Sequence, residues 1–92
     1  MQTLEKIGQI LGIPEQDLIK RSILSFLEKE IRLSEEEISR IRDRYDCSTK
    51  EDLYHAIQDK KVVSHPAWED YILWKNKESH IEEMKKELEA LI

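Results

Sequence analysis

Residues 24–45 read LSFLEKEIRLSEEEISRIRDRY, and apolar side chains recur in this stretch at intervals of three, four and seven positions. Seven residues make about two turns of an α-helix, so residues at this interval lie on one face of the helix. The members of this apolar series are Leu24, Leu27, Ile31, Ile38, Ile41 and Tyr45. The spacing predicts an amphipathic helix whose apolar face packs against another helix.

A second feature of the same stretch offers an alternative, because Ser34 followed by Glu37 matches a capping box that would begin a new helix after a break near Leu33. The apolar series passes through Ser34 in phase, however, and a new helix after a turn would rarely resume the same face. No Gly or Pro lies between Pro14 and Tyr45. We therefore favour one continuous helix over this range.

The flanking residues predict three more helices. Gly12 suits the residue after a short first helix, and Pro14 suits the first position of the long one. Ser48 or Thr49 would cap a short third helix, and Pro66 would open a final long one, with Ser64 or His65 as its cap. The final helix has its own apolar series, which consists of Trp74, Ile81, Met84, Leu88 and Leu91. We predict an all-α fold, a helical hairpin with two long helices and two short ones.

Chain length sets a limit on the core, since 92 residues bury only about 60–65% of their unfolded surface. The two apolar series look larger than one such chain can cover, so we expect an intertwined or coiled-coil-like homodimer. Its predicted interface consists of Leu24, Leu27, Ile31, Ile38 and Ile41. We treat residues 1–92 as one helical domain, in which residues 1–46 dimerise and residues 47–92 form an acidic segment that could bind a partner.

Charge is unevenly distributed along the chain. The net charge is −5, and residues 1–32 balance five acids with five bases, so the excess lies in residues 33–92. An acidic surface repels phosphate, which argues against nucleic acid and favours a basic protein partner. Cys47 is the single cysteine, and no apolar run approaches the ~20 residues of a membrane span. We expect a cytoplasmic protein without a membrane segment.

The sequence gives little indication of a metal site, a phosphate-binding loop or a catalytic nucleophile. His55, His65 and His80 lack the spacing of a metal site, and no Gly-rich phosphate loop occurs. Cys47 follows Asp46, and a neighbouring carboxylate raises a thiol pKa, which disfavours a nucleophile. We predict no enzyme activity, no catalytic residue, no metal and no cofactor.

The aromatic residues concentrate in PAWEDYILW, residues 66–74. Successive residues turn 100° about a helix, so the four side chains from Tyr71 to Trp74 face almost every direction and need neighbours on several sides. Those neighbours are either a core, internal or dimeric, or another protein. The candidate partner-binding residues are Trp68, Glu69, Asp70, Tyr71 and Trp74, with the two acids available to steer a basic partner.

The segment LEKIGQILGIPEQDLIKRSILSFLEK, residues 4–29, resembles the two helices of ribbon-helix-helix regulators, with the interhelix turn at Gly12 and Ile13. The resemblance implies a dimer. That family reads DNA with a strand ahead of its first helix, where this sequence has three residues. The family also holds phosphate with backbone N–H groups at the start of its second helix, where Pro14 has no N–H. The resemblance therefore implies a dimerising unit without the DNA reader.

The stretches RYDCSTKEDL, residues 44–53, and VVSHPAWEDYILW, residues 62–74, are similar to a group of small helical archaeal and bacterial proteins, many of them suspected antitoxins of toxin–antitoxin pairs. The group's usual Gly after the Tyr is replaced here by Asp46. The resemblance implies a protein-binding role for Trp68, Tyr71 and Trp74. The leading hypothesis is a non-catalytic, antitoxin-like module that neutralises or scaffolds a basic protein. The alternatives are a DNA-binding regulator of ribbon-helix-helix descent and a purely structural helical homodimer.

Overall fold

The computed structural model describes residues 2–92, which form four helices: α1 (Gln2–Leu11), α2 (Glu15–Tyr45), α3 (Lys50–Gln58) and α4 (Ser64–Leu91). No strand occurs in this range, so the predicted all-α class with two long and two short helices is confirmed. The helix α2 runs unbroken through Ser34, which is buried in its middle. The prediction of one continuous helix is therefore confirmed, and the alternative of a break near Leu33 is wrong.

The turn between α1 and α2 depends on glycine at two positions. Gly12 has φ of +68°, and its N–H donates to the Gln9 carbonyl at 3.3 Å, while the Ile13 N–H donates to the Gly8 carbonyl at 2.9 Å. These two bonds satisfy the last carbonyls of α1 in a Schellman motif. A Cβ at position 8 would lie 2.7 Å from the Ile13 carbonyl oxygen, so a side chain there would displace the turn.

The predicted cap is observed for α3 but not for α4. Thr49 Oγ1 accepts a hydrogen bond from the Asp52 N–H at 3.1 Å, which identifies Thr49 as the cap of α3. His65 has non-helical backbone angles (φ −122°, ψ 116°), so the regular part of α4 begins at Pro66. No side-chain cap bond forms at this end, so the predicted capping by Ser64 or His65 is not observed.

The core lies between α2 and α4, and α3 closes it at one end. The two long helices are antiparallel, because Glu37 pairs with Lys77 at 3.2 Å while the later Arg44 pairs with the earlier Asp70 at 2.7 Å. The apolar series of the two helices therefore face each other along their length. The buried apolar residues are Ile31, Ile38, Ile41, Leu53, Ala67, Trp74, Ile81 and Met84.

The predicted dimer interface requires a correction. Ile31, Ile38 and Ile41 are only 8%, 4% and 2% exposed within a single chain, and Leu27 packs against the same core. These side chains leave almost no surface for a second copy. The premise that one chain cannot cover both apolar series is wrong, because the two series cover each other. Leu24, the remaining member, is half-buried.

Candidate protein-binding surface

Three aromatic rings form a cluster where α3 meets the start of α4. Trp68 and Tyr71 stack with ring centroids 5.4 Å apart and planes inclined by 25°. Tyr54 of α3 tilts against both rings, at 5.5 Å from Tyr71 and 6.2 Å from Trp68. Trp68 remains 46% exposed, whereas Tyr54 and Tyr71 are half-buried. The cluster thus presents one large aromatic face on a partly buried base.

One apolar and one acidic side chain of α4 lie next to this cluster. Ile72 lies one helical turn after Trp68 and is exposed. Glu69 Oε1 lies 3.1 Å from His65 Nδ1, and both side chains are largely exposed. We call the set formed by Tyr54, Trp68, Glu69, Tyr71 and Ile72 the aromatic surface.

Trp74 does not belong to the aromatic surface, which corrects its predicted role in partner binding. Its side chain is fully buried in the core. Its Nε1 donates to Glu78 Oε1 at 2.9 Å, and the Arg42 guanidinium lies 5.5 Å from the ring centroid. The sequence left open whether Trp74 packs in a core or contacts another protein, and in the structure it packs in the core of its own chain.

Asp70 holds two helices together, which corrects its predicted role in steering a partner. Its Oδ2 accepts a hydrogen bond from the Tyr45 hydroxyl at 2.5 Å and another from Arg44 Nη1 at 2.7 Å, and the side chain is 14% exposed. Arg44 offsets the carboxylate charge, so little of it reaches solvent. Burial raises the pKa of the Tyr45 phenol, and its hydrogen bond to Asp70 raises that pKa further. Asp70 therefore fixes the start of α4 against the end of α2.

The chain matches one protein family over residues 1–92, its entire length. The chain belongs to the family described as the Uncharacterized protein MJ0235 family. No curated protein and no solved structure matches it.

The geometry of this MJ0235-family chain brings together Trp68, Glu69 and Tyr71 of the predicted site and adds two residues that the sequence analysis missed. Ile72 lies four residues after Trp68 and so shares its helical face, but it was not among the predicted site residues. Tyr54 belongs to α3, and nothing in the sequence specifies the angle at which α3 meets α4. The one feature of the sequence that could have indicated Tyr54 is its position next to Leu53, the residue of α3 that is buried in the core.

Other chemistry within residues 2–92 is limited. Burial raises the pKa of the Cys47 thiol, and the carboxylates of Asp52 and Asp46 raise it further. A raised pKa lowers the thiolate fraction at neutral pH. No group of three or more potential metal ligands occurs in this range. No helix in it is both long and apolar enough to cross a membrane.

Proposed function

We propose that the protein is a non-catalytic binding module and that the aromatic surface is where it binds a protein partner. The observation that carries the proposal is the stacked, half-exposed Trp68 on a base formed by Tyr54 and Tyr71. Aromatic side chains held rigidly at a surface contribute much of the energy of protein interfaces, because little conformational entropy is lost when they bind.

The charge of the chain favours a basic partner. The acidic excess of residues 33–92 belongs to the part of the chain that carries the aromatic surface. Glu69 lies within that surface, and its carboxylate is well exposed. Opposite charge at the rim of an interface mainly accelerates association. These features support an antitoxin-like role, in which the module neutralises or scaffolds a basic protein.

The DNA-binding alternative gains no support from the start of α2. Pro14 occupies the N-cap position and has no N–H to offer a phosphate. Glu15 and Asp17 fall in the first turn of the helix, where their charges would repel an anion. A protein partner for the aromatic surface therefore remains the function that we propose.

Co-purification from the source cells tests the proposal. The tagged full-length chain is compared with Trp68→Ala and with Leu33→Ala, a matched control because Leu33 is similarly exposed on α2. We expect one basic protein in near-equal amount with the parent and with the control, and at least ~30-fold weaker retention by Trp68→Ala. Equal retention by all three chains would refute a role for the aromatic surface, and an acidic partner would refute the charge argument.

A further inference from the structure

The first part of the chain has no apolar core of its own. Between residues 2 and 30 the one buried residue is Gly8. Six large apolar side chains in this segment are between 40% and 82% exposed, half of all such exposed side chains in the described structure. We call them the N-terminal apolar face, and they are Ile7, Ile10, Leu11, Ile19, Ile23 and Phe26.

The packing register explains why the α1 part of this face stays uncovered. Leu27 lines the same shallow pocket as Met84 and Glu87 near the end of α4. The helices are antiparallel, and α4 ends at Leu91, about one turn beyond Glu87. The helix α1 and the first turns of α2 therefore extend past the end of α4. This extension contributes to the 60 Å length of a molecule that is 21 by 18 Å across.

Ile19, Ile23 and Phe26 follow one another at intervals of four and three residues, so they form a continuous stripe along α2. This stripe is rotated away from the series of Ile31 and Ile38 that packs on α4. The helix α2 thus carries two apolar faces, and the fold of one chain covers only the second of them.

The exposed area is large enough for a stable interface. The six side chains together expose on the order of 600 Å² of apolar surface, and a single patch of that size would be at the upper end of what monomers show. Two such faces in contact would bury on the order of 1,200 Å², which reaches the lower end of stable protein interfaces.

We propose that the N-terminal apolar face is covered by the same face of a second copy of this chain. Charge selects this occupant, because residues 1–32 balance five acids with five bases and the acidic excess lies elsewhere. Two copies that meet at their neutral ends keep their acidic parts apart, which minimises repulsion between them. A lipid surface or a nucleic acid would require an excess of basic residues in this segment.

The arrangement places the two aromatic surfaces outside the dimer interface. Each aromatic surface includes the start of α4, which lies beside the end of α2 and therefore far from the N-terminal apolar face. The dimer would present two partner sites without blocking either one. The inference does not rest on the proposed function, since it requires only that the apolar face be covered.

Sedimentation equilibrium of the full chain tests the inference across a range of concentrations. We expect a mass twice that of the 11.0 kDa chain and a melting temperature that rises with concentration. Phe26→Glu places a charge at the largest side chain of the stripe and should raise the dimer dissociation constant at least ~30-fold. Its helix content should not change, because Phe26 contributes nothing to the buried core.

Two controls make the result specific. Val63→Glu alters an apolar side chain outside the face that is even more exposed, 76% against 61% for Phe26, and should leave the dimer intact. Ile38→Ala weakens the core and should lower the melting temperature while the dimer persists at temperatures where the chain is folded. A parent chain that is monomeric up to ~100 μM, a concentration at which interfaces of this size associate, would overturn the inference. A dimer that Phe26→Glu leaves unchanged would overturn it as well.

Discussion

Trp74 and Glu78 join the buried core to the position of α3. The Trp74 indole Nε1 donates to Glu78 Oε1 at 2.9 Å, and the Oε2 atom of the same carboxylate accepts from Lys50 Nζ at 2.5 Å. Lys50 is the first residue of α3, and Tyr54 follows it by one turn. The ring of Tyr54 beneath Trp68 is thus held by a contact chain that begins in the core.

The two tryptophans should respond very differently to truncation. Trp74→Ala removes a fully buried side chain and should lower the free energy of unfolding by ~3–5 kcal/mol. Trp68→Ala removes a side chain that is about half exposed and stacked on Tyr71, so its cost should be smaller, ~1–2.5 kcal/mol. Urea unfolding of both variants measures the difference. Equal losses for the two variants would contradict the separate roles assigned to them.

Glu78 offers a test of the link between the core and α3. Glu78→Ala leaves the buried Trp74 N–H without a partner and should cost ~1–3 kcal/mol. Glu78→Gln retains an acceptor for the indole but loses the ion pair with Lys50, so its cost should fall below ~1 kcal/mol because the pair is partly exposed. Urea unfolding at low and high salt separates the two effects. Similar costs for both variants would show that the indole hydrogen bond contributes little.

Glycine substitutions just after α2 and just after α3 should make the fold more stable. Asp46 and Lys60 adopt φ of +52° and +58°, a left-handed conformation that a side chain disfavours. Asp46→Gly and Lys60→Gly should each stabilise the fold by ~0.5–1 kcal/mol, with the larger gain at Lys60 because aspartate tolerates this region better than lysine.

Gly12→Ala provides the matched control in the opposite direction, because Gly12 already occupies the left-handed position at the end of α1. It should destabilise the turn by ~1 kcal/mol. Thermal melts of the three variants test the whole series. Loss of stability in both glycine variants would mean that the side chains of Asp46 and Lys60 contribute more than their backbone strain costs.

Glu69 and Asp70 should differ in their effect on a basic partner. Glu69→Gln removes an exposed charge from the aromatic surface, so it should slow association more than it changes dissociation, and added salt should reduce the effect. Asp70→Asn should mainly lower stability, since its carboxylate is paired with Tyr45 and Arg44. Stopped-flow association rates and thermal melts distinguish them. Faster association by the Glu69 variant would contradict a basic partner.

The sequence predicts the helices well because their signals are local. The apolar series through Ser34, the glycine at position 12 and the Thr49 cap each depend on residues within a few turns of one another. The prediction of two long helices, each with its own apolar series, needed no more than this information. The antiparallel register follows once the two series cover each other.

The sequence could not decide which surface covers each apolar side chain. The series of Ile31, Ile38 and Ile41 is equally compatible with a second chain and with α4, because periodicity identifies a buried face but not its partner. Trp74 was assigned to the partner site for the same reason, because the sequence does not show which surface covers it. Asp70 was misassigned because its partners, Tyr45 and Arg44, lie about twenty-five positions away in the chain.

The phenol of Tyr45 should make stability depend on pH in the alkaline range. Burial and the hydrogen bond to Asp70 raise its pKa above the ordinary value of about 10, while Arg44 opposes the shift. A group with a raised folded-state pKa binds its proton more tightly in the folded protein. Its contribution is therefore complete below about pH 10 and is lost as the pH rises through the folded-state pKa.

Lys50 should also make the protein less stable at alkaline pH, because its hydrogen bond to Glu78 raises the pKa of its ammonium group. Near neutral pH neither group should make the free energy of unfolding change with pH, and above about pH 10 this free energy should fall. Tyr45→Phe should cost ~1 kcal/mol at neutral pH, from the lost hydrogen bond, and should make the alkaline decline shallower. Lys50→Met serves as the comparison, since it removes the other part of the decline. Urea unfolding at several pH values measures these slopes, and a Tyr45→Phe variant with the same decline as the parent would show that this phenol titrates alike in the folded and unfolded chain.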